Sequence, residues 1–180
     1  MPRILVLGAY GAGKSTFAKR LAGQLSIPPV YLDEEYYLPN WTKPPLSAWR
    51  RRTVQLCSQP NWVMDGNFIA TLDQRLARAT HVVYLRPSKW LCLFRVLCRL
   101  ARYYNRVRPT VAPDCPEGFY LPFFASIINF DRDMHPILEA KLAEAGVPVT
   151  YCSSAREIEA YLAQGAIKSS PLRTALHLQS

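Results

Sequence analysis

Short apolar runs alternate along this chain with longer segments that repeat on a helical period. Arg3-Ile4-Leu5-Val6-Leu7 is almost continuously apolar, the pattern of a strand covered on both faces. Phe17, Leu21 and Leu25 then recur at every fourth position beside Lys19, Arg20 and Gln24, which predicts an amphipathic helix from about Lys14. Further strands are predicted over Ile27–Asp33, Asn61–Asn67, His81–Leu85 and Val147–Cys152. Helices are predicted between them: one capped by Ser47, one over Thr71–Arg78, one over Trp90–Arg106, a helical stretch in Phe119–Met134, and Pro136–Ala145 ended by Gly146. Ser154-Ala155-Arg156-Glu157 fits a capping box opening a last helix to about Ala163. Five strands alternating with helices require a parallel sheet with right-handed crossovers, an α/β fold.

The junction of the first strand and first helix carries Gly8-Ala9-Tyr10-Gly11-Ala12-Gly13-Lys14-Ser15-Thr16, which reads G-x-x-x-x-G-K-S/T. Gly8 and Gly13 permit a tight turn that brings successive backbone N–H groups onto polyphosphate oxygens, and the helix N-terminus adds partial positive charge. Lys14 supplies a full charge to the β and γ phosphates, Ser15 a hydroxyl to Mg²⁺, and Thr16 helps seat the neighbouring phosphate. A chance glycine turn would not come with the strand before it and the helix after it. Binding of a nucleoside triphosphate is expected.

Two other strands end on acids. Asp33 and Asp65 are expected to lie beyond strand carboxyl ends, where ligands of open α/β sheets sit. Asp65 closes an apolar run, the expected form of the Mg²⁺-organising acid. Asn67, two residues on, is a candidate for acceptor contact. Glu34 to Pro60 is rich in aromatics and prolines and reads as an inserted substrate-gripping segment. Its tryptophans are expected to pack, and of Arg50-Arg51-Arg52 the first is expected to reach an acceptor's anion.

Charge then narrows the partner class. The 180 residues carry a net charge of +9, with no Asp or Glu between Gln74 and Pro113. That stretch holds nine cations, Arg75, Arg78, Arg86, Lys89, Arg95, Arg99, Arg102, Arg106 and Arg108, equal to the whole excess. A concentrated basic field implies an anionic partner, either nucleotide phosphates or a nucleic-acid backbone. Arg95, Arg99, Arg102 and Arg106 are spaced four, three and four, which places them on one helical face. Arginine suits phosphate because its planar fork binds oxygens in pairs and keeps its charge. The proline-containing stretch Arg106–Gly118 reads as a loop able to close Arg106 and Arg108 over the phosphates.

Other classes are disfavoured. The five cysteines, Cys57, Cys92, Cys98, Cys115 and Cys152, show no C-x-x-C spacing, against a disulfide framework or a zinc site. The length allows one well-buried domain, no apolar run of about 18 residues is present to span a membrane, and the first strand begins at once. A cytoplasmic protein is expected, as a monomer or homodimer.

The order of these motifs resembles the nucleoside-monophosphate-kinase-like branch of P-loop proteins, which holds adenylate, shikimate and gluconate kinases. The combination of the loop with Leu32-Asp33, Trp62-Val63-Met64-Asp65-Gly66-Asn67, Leu76-Ala77-Arg78-Ala79, Trp90-Leu91, Arg108-Pro109 and Ala112-Pro113-Asp114-Cys115-Pro116-Glu117 looks like bacterial proteins labelled topology modulation or adenylate-kinase-related. The similarity runs from about Arg3 to Leu162. With the composition of the segments, the expected organisation is a P-loop NTPase domain over residues 1–164, with an acceptor-binding insert at 34–60, an Arg-rich lid at 99–118 and a polar, weakly patterned tail at 165–180 expected to be disordered.

By the same resemblance Gly8, Gly11, Ala12, Gly13, Lys14, Ser15 and Thr16 hold ATP and Mg²⁺. Asp33 and Asp65 manage acceptor and metal, and Arg95 and Arg99 form an R-x-x-x-R pair on adenine and phosphate. Ser154 and Arg156 lie near the base. From the arginine stripe and the predicted Thr71–Arg78 helix, apart from the resemblance, Arg99 and Arg102 are expected to serve the transition state and Arg75 to contact the acceptor. The sequence Asp65-Gly66-Asn67-Phe68 lacks the D-G-F-P-R continuation of adenylate kinases, so AMP is not implied as acceptor. The resulting expectation is transfer of the γ-phosphate of ATP to a small acceptor, a nucleotide or nucleoside ahead of a hydroxylated metabolite. The rival readings are a DNA-binding ATPase and a nucleotide-binding protein without catalysis.

Overall fold

The computed structural model describes residues 1–165. Its centre is β1 (Arg3–Gly8), followed by α1 (Lys14–Leu25), β2 (Pro29–Tyr31), α2 (Leu32–Tyr36), α3 (Leu46–Ser58) and β3 (Trp62–Asp65). Then come α4 (Leu72–Leu76), β4 (His81–Leu85), α5 (Lys89–Tyr103), α6 (Leu121–Ile128), α7 (Phe130–Asp133), α8 (His135–Ala145), β5 (Val149–Cys152) and α9 (Ala155–Gly165). The strands form one parallel sheet in the order β2-β3-β1-β4-β5, as five alternating strands required.

The apolar runs form the buried layer. Leu5, Val6, Leu7, Val63, Met64, Val82, Val83 and Leu85 have no exposed surface, each worth roughly 1.5–3 kcal/mol of burial. Phe17, Ala18, Leu21 and Ala22 of α1 cover part of this sheet, and Tyr161 and Leu162 of α9 pack beside them. Tyr84 is fully buried and satisfies its hydroxyl with His135 Nδ1 at 2.9 Å. His81, at the far end of β4, joins Thr150 Oγ1 at 2.9 Å and stacks on Tyr161, a structural role.

Several boundaries differ from expectation. β2 stops at Tyr31, so Asp33 lies in the first turn of α2 rather than at the end of a strand. Ser47 sits inside α3, whose N-cap is Pro45 and has no side-chain cap. The helix expected over Trp90–Arg106 ends at Tyr103, so Arg106 does not share its face. Gly146 closes α8 with φ of 62°, and the Ser154–Glu157 capping box opens α9, with Ser154 Oγ accepting from Glu157 N at 3.2 Å. The expected tail lies, beyond Gly165, outside the described residues. The free cysteines are buried at positions 57, 92, 115 and 152 and exposed at 98.

Candidate active site

The sheet register brings the strand ends together. Tyr31 pairs with Asp65, Val6 with both Asp65 and Val83, Gly8 with Leu85, and Leu85 with Cys152. The phosphate loop, Asp33, Asp65 and the start of α9 therefore all leave one edge of the sheet, the carboxyl edge at which α/β proteins hold ligands.

The loop is packed too tightly for side chains at two of its glycines. A Cβ on Gly8 (φ 136°) would stand 2.0 Å from the Leu85 carbonyl oxygen, and one on Gly11 would stand 2.4 Å from the Cys92 carbonyl oxygen. Gly13 caps α1 without a side chain, and the first turn of α1 contains no acid. The leading N–H groups of such a helix have no intrahelical acceptor, the setting that draws anions. Tyr10 anchors the outer wall by edge contacts to Phe123 and Phe130.

Lys14 Nζ donates to the carbonyl oxygens of Gly8 at 3.1 Å and Ala9 at 2.9 Å. Burial holds its pKa below the usual lysine value, opposed by Asp65 and Asp33. Ser15 Oγ donates to Asp65 Oδ2 at 2.5 Å. Asp65 is 6% exposed, and burial pushes its pKa up to about 6 against the pull of Lys14 and Ser15. A hydroxyl and a hard carboxylate oxygen thus touch each other at the mouth of an anion-binding loop, a donor set suited to Mg²⁺ completed by phosphate oxygens.

One arginine of α5 reaches the loop and a second is held beside it by an acid. Arg95 Nη1 donates to Ala12 O at 3.2 Å, and Arg99 lies 3.3 Å from Glu117. Arg108 bridges two acids, standing 2.6 Å from Asp33 Oδ2 and 2.9 Å from Glu117 Oε1. Burial and then repulsion by Arg108 lower the pKa of Arg99. The segment after α5 is held by bridges of Tyr104 with Glu117 and Val107 with Pro116, and it docks on the insert. Asn40 N donates to Asp114 O at 2.8 Å, Trp41 Nε1 to Pro116 O at 2.8 Å, and Cys115 Sγ to Leu38 O at 3.3 Å.

Other candidates lie elsewhere. Arg75, expected to face the acceptor, is completely buried. Its guanidinium donates to Gly66 O at 2.7 Å, Phe68 O at 2.9 Å, Thr71 O at 3.4 Å and, closer still, Asn67 O. Its pKa falls to about 10, chiefly through burial, so it remains charged at neutral pH and holds the β3–α4 turn. The Asn67 side chain is engaged with the backbone of Gly8 rather than pointed at an acceptor. Arg50 is exposed beside a groove lined by Arg51, Val54, Gln55 and Gln74, with no loop residue in its lining. Arg102 and Arg106 are exposed, and Arg102 lies against Tyr103, so the row of four guanidiniums divides into Arg95 on the loop, Arg99 on Glu117 and two that are exposed. Ser154 caps α9, and Arg156 and Thr16 are exposed.

Glu117 is the site residue that sequence reasoning missed. The signal was present: after an acid-free stretch with nine cations, Asp114 and Glu117 are the first carboxylates to follow, and buried arginines need a counter-charge.

No protein-family model and no curated protein matches this chain. Solved structures do. A shikimate kinase from Acinetobacter baumannii in complex with shikimate is 20% identical, with 91% of this chain and 92% of that one covered at a TM-score of 0.59. A gluconokinase from Sinorhizobium meliloti is 17% identical, with 92% and 93% covered at 0.52. A shikimate kinase from Bacteroides thetaiotaomicron is 17% identical, with 91% and 95% covered at 0.51. At these identities the likeness is one of fold: the chain has the α/β architecture, a five-stranded parallel sheet flanked by helices, that these kinases share.

Proposed function

We propose that this protein is an ATP-dependent phosphotransferase that moves the γ-phosphate of Mg-ATP to a small acceptor. The observation that carries the reading is the cluster of Lys14, Ser15 and Asp65 at the mouth of the glycine loop, with Ser15 and Asp65 in contact. The fold shared with a shikimate kinase and a gluconokinase adds support.

In this reading the loop amides and the α1 N-terminus hold the polyphosphate, and Lys14 neutralises charge on the β and γ groups. Ser15 and Asp65 are the residues that would hold Mg²⁺, which would supply Lewis-acid neutralisation of charge on the transferring group. Arg95 and Arg99 approach from α5 and stabilise the equatorial oxygens. Asp33, paired with Arg108, orients the acceptor or takes its proton. Such chemistry depends on positioning and electrostatics, so each arginine that contacts the transferring group contributes on the order of 2–4 kcal/mol to lowering the barrier.

The acceptor is a nucleotide or nucleoside, with Tyr37 and Trp41 offering aromatic faces next to Asp33. A hydroxylated metabolite is the alternative, favoured by the kinases whose fold the chain shares. The basic stretch gives little support to a nucleic-acid surface. Four of its nine cations, Arg75, Arg95, Arg99 and Arg108, are engaged inside the protein, and Arg86 pairs with Asp131 at the surface.

Incubation with γ-labelled ATP, Mg²⁺ and a panel of nucleotides, nucleosides and hydroxylated metabolites tests the reading. Label is expected to pass to one acceptor class, dependent on Mg²⁺ and lost in Lys14→Ala. Failure to bind Mg-ATP at all would overturn it.

A further inference from the structure

The Asn67 side chain grips both polar groups of a single loop residue. Gly8 N donates to Asn67 Oδ1 at 3.1 Å, and Asn67 Nδ2 donates to Gly8 O at 2.9 Å. The amide therefore acts as an extra rung on the ladder between β1 and β3, beyond the last backbone bond, in which Gly66 N donates to Val6 O at 3.2 Å. Asn67 is 6% exposed. Its own backbone is pinned by Arg75, which also holds the carbonyl groups of Gly66 and Phe68.

Gly8 O has a second donor. Lys14 Nζ is 3.1 Å from the same oxygen and 2.9 Å from Ala9 O. An ammonium that turns to a phosphate gives up such carbonyl bonds, and a buried carbonyl left without a donor opposes that turn. With Asn67 in place, Gly8 O keeps one donor whichever way Lys14 points.

We infer that Asn67 is a positioning residue for nucleotide binding: its amide fixes the first glycine of the loop and keeps Gly8 O satisfied when Lys14 transfers to phosphate. This inference rests on the phosphotransfer reading for the role of Lys14. The side chain touches no reacting atom, and its effect passes through the Gly8 peptide and the Lys14 ammonium. An amide is suited to this place because it donates and accepts through one planar group. A carboxylate can only accept, whereas a protonated carboxyl again does both.

The experiment is direct binding of Mg-ATP by calorimetry to the full chain and to Asn67→Leu, each with Lys14 present and in a Lys14→Ala background. With Lys14 present the variant is expected to bind about tenfold more weakly, the equivalent of one lost donor to a buried acceptor. In the Lys14→Ala background the same substitution is expected to change Kd by less than about twofold, because no ammonium is left to turn. A generally loosened fold would give the same loss in both backgrounds. Asn67→Ala, also without an amide, is expected to show the same pattern, and it keeps the test open if the leucine variant fails to fold. A ratio that stays at one with Lys14 present, or an equal loss in both backgrounds, would overturn the inference while leaving the phosphotransfer reading intact. A wild-type chain that does not bind Mg-ATP would overturn both.

Discussion

Glu117 Oε1 stands 2.9 Å from Arg108 Nε, with the two side chains 7% and 12% exposed. Glu117 also lies 3.3 Å from Arg99, so one buried carboxylate neutralises two guanidiniums, one of which also holds Asp33. An arriving phosphate would compete with it for the same donors. Glu117→Gln is therefore expected to destabilise the protein by about 3 kcal/mol, because two largely buried cations lose their counter-charge. The same variant is expected to bind inorganic phosphate more tightly than wild type and to recover part of its melting temperature in that buffer. Thermal melts with and without phosphate measure both effects, and a variant with lower stability and no gain in phosphate affinity would show that Glu117 does not occupy the anion's place.

Lys14→Ala is expected to abolish phosphate transfer and leave the fold intact. Its ammonium bonds two loop carbonyls and lies 5.7 Å from the centre of the Tyr10 ring, contacts of the loop rather than of the sheet. Its lowered pKa arises first from burial, so removing it relieves a desolvated charge. Circular dichroism and a melting temperature near wild type, combined with no transfer from labelled ATP, is the expected result. Wild-type turnover in the purified variant would refute the assignment.

Asp65 couples stability to pH in the direction opposite to an ordinary salt-bridged acid. Its pKa rises from 3.8 to about 6 on folding, with burial the largest cause. Between about pH 4 and pH 6 the folded chain keeps a proton that the unfolded chain has released, so stability falls as pH rises through that window. The difference is on the order of 3 kcal/mol above pH 6. Asp65→Asn is expected to remove this dependence and to be the more stable protein at pH 7.5, while losing Mg²⁺-dependent activity. Melting curves of both forms at pH 4 and pH 7.5 decide it; equal pH dependence in the two would contradict the claim.

Arg75→Met should be costly for a reason unrelated to substrate. The guanidinium holds four backbone carbonyls in a completely buried turn, and each carbonyl left unsatisfied costs about 1–3 kcal/mol. A loss of at least 3 kcal/mol is expected, measured by urea unfolding, with the acceptor KM of any folded fraction unchanged.

How far the sequence could be read follows from the kind of information each residue carries. β1, the glycine loop and α1 were legible because period and motif are local, and five apolar runs in alternation leave few sheet topologies. The meeting of Asp65 with Ser15 was legible because strand ends converge at one edge. Arg75 was not, since nothing local distinguishes a guanidinium buried among carbonyls from one on a surface. Arg106 was placed on the wrong element because α5 stops at Tyr103 without a glycine or proline to mark its end. The partnership of Asn67 with Gly8 spans 59 positions, and no spacing rule reports a contact of that separation.

The division of the α5 arginines gives the last expectation. Arg95 reaches Ala12 O at 3.2 Å and lies 3.7 Å from where a Cβ on Gly13 would stand, whereas Arg102 is exposed against Tyr103. If arginine serves the reaction through contact with the phosphates, Arg95→Ala should lower kcat/KM for ATP by roughly 10²- to 10³-fold, the loss of one donor to developing charge. Arg102→Ala should change it by less than about twofold, since an exposed cation at that distance acts through screened solvent. Steady-state kinetics at two ionic strengths separate the contributions: the Arg95 effect should persist in salt and the Arg102 effect should vanish. Comparable losses from both variants would mean that charge density along the helix, rather than contact at the loop, is what the reaction uses.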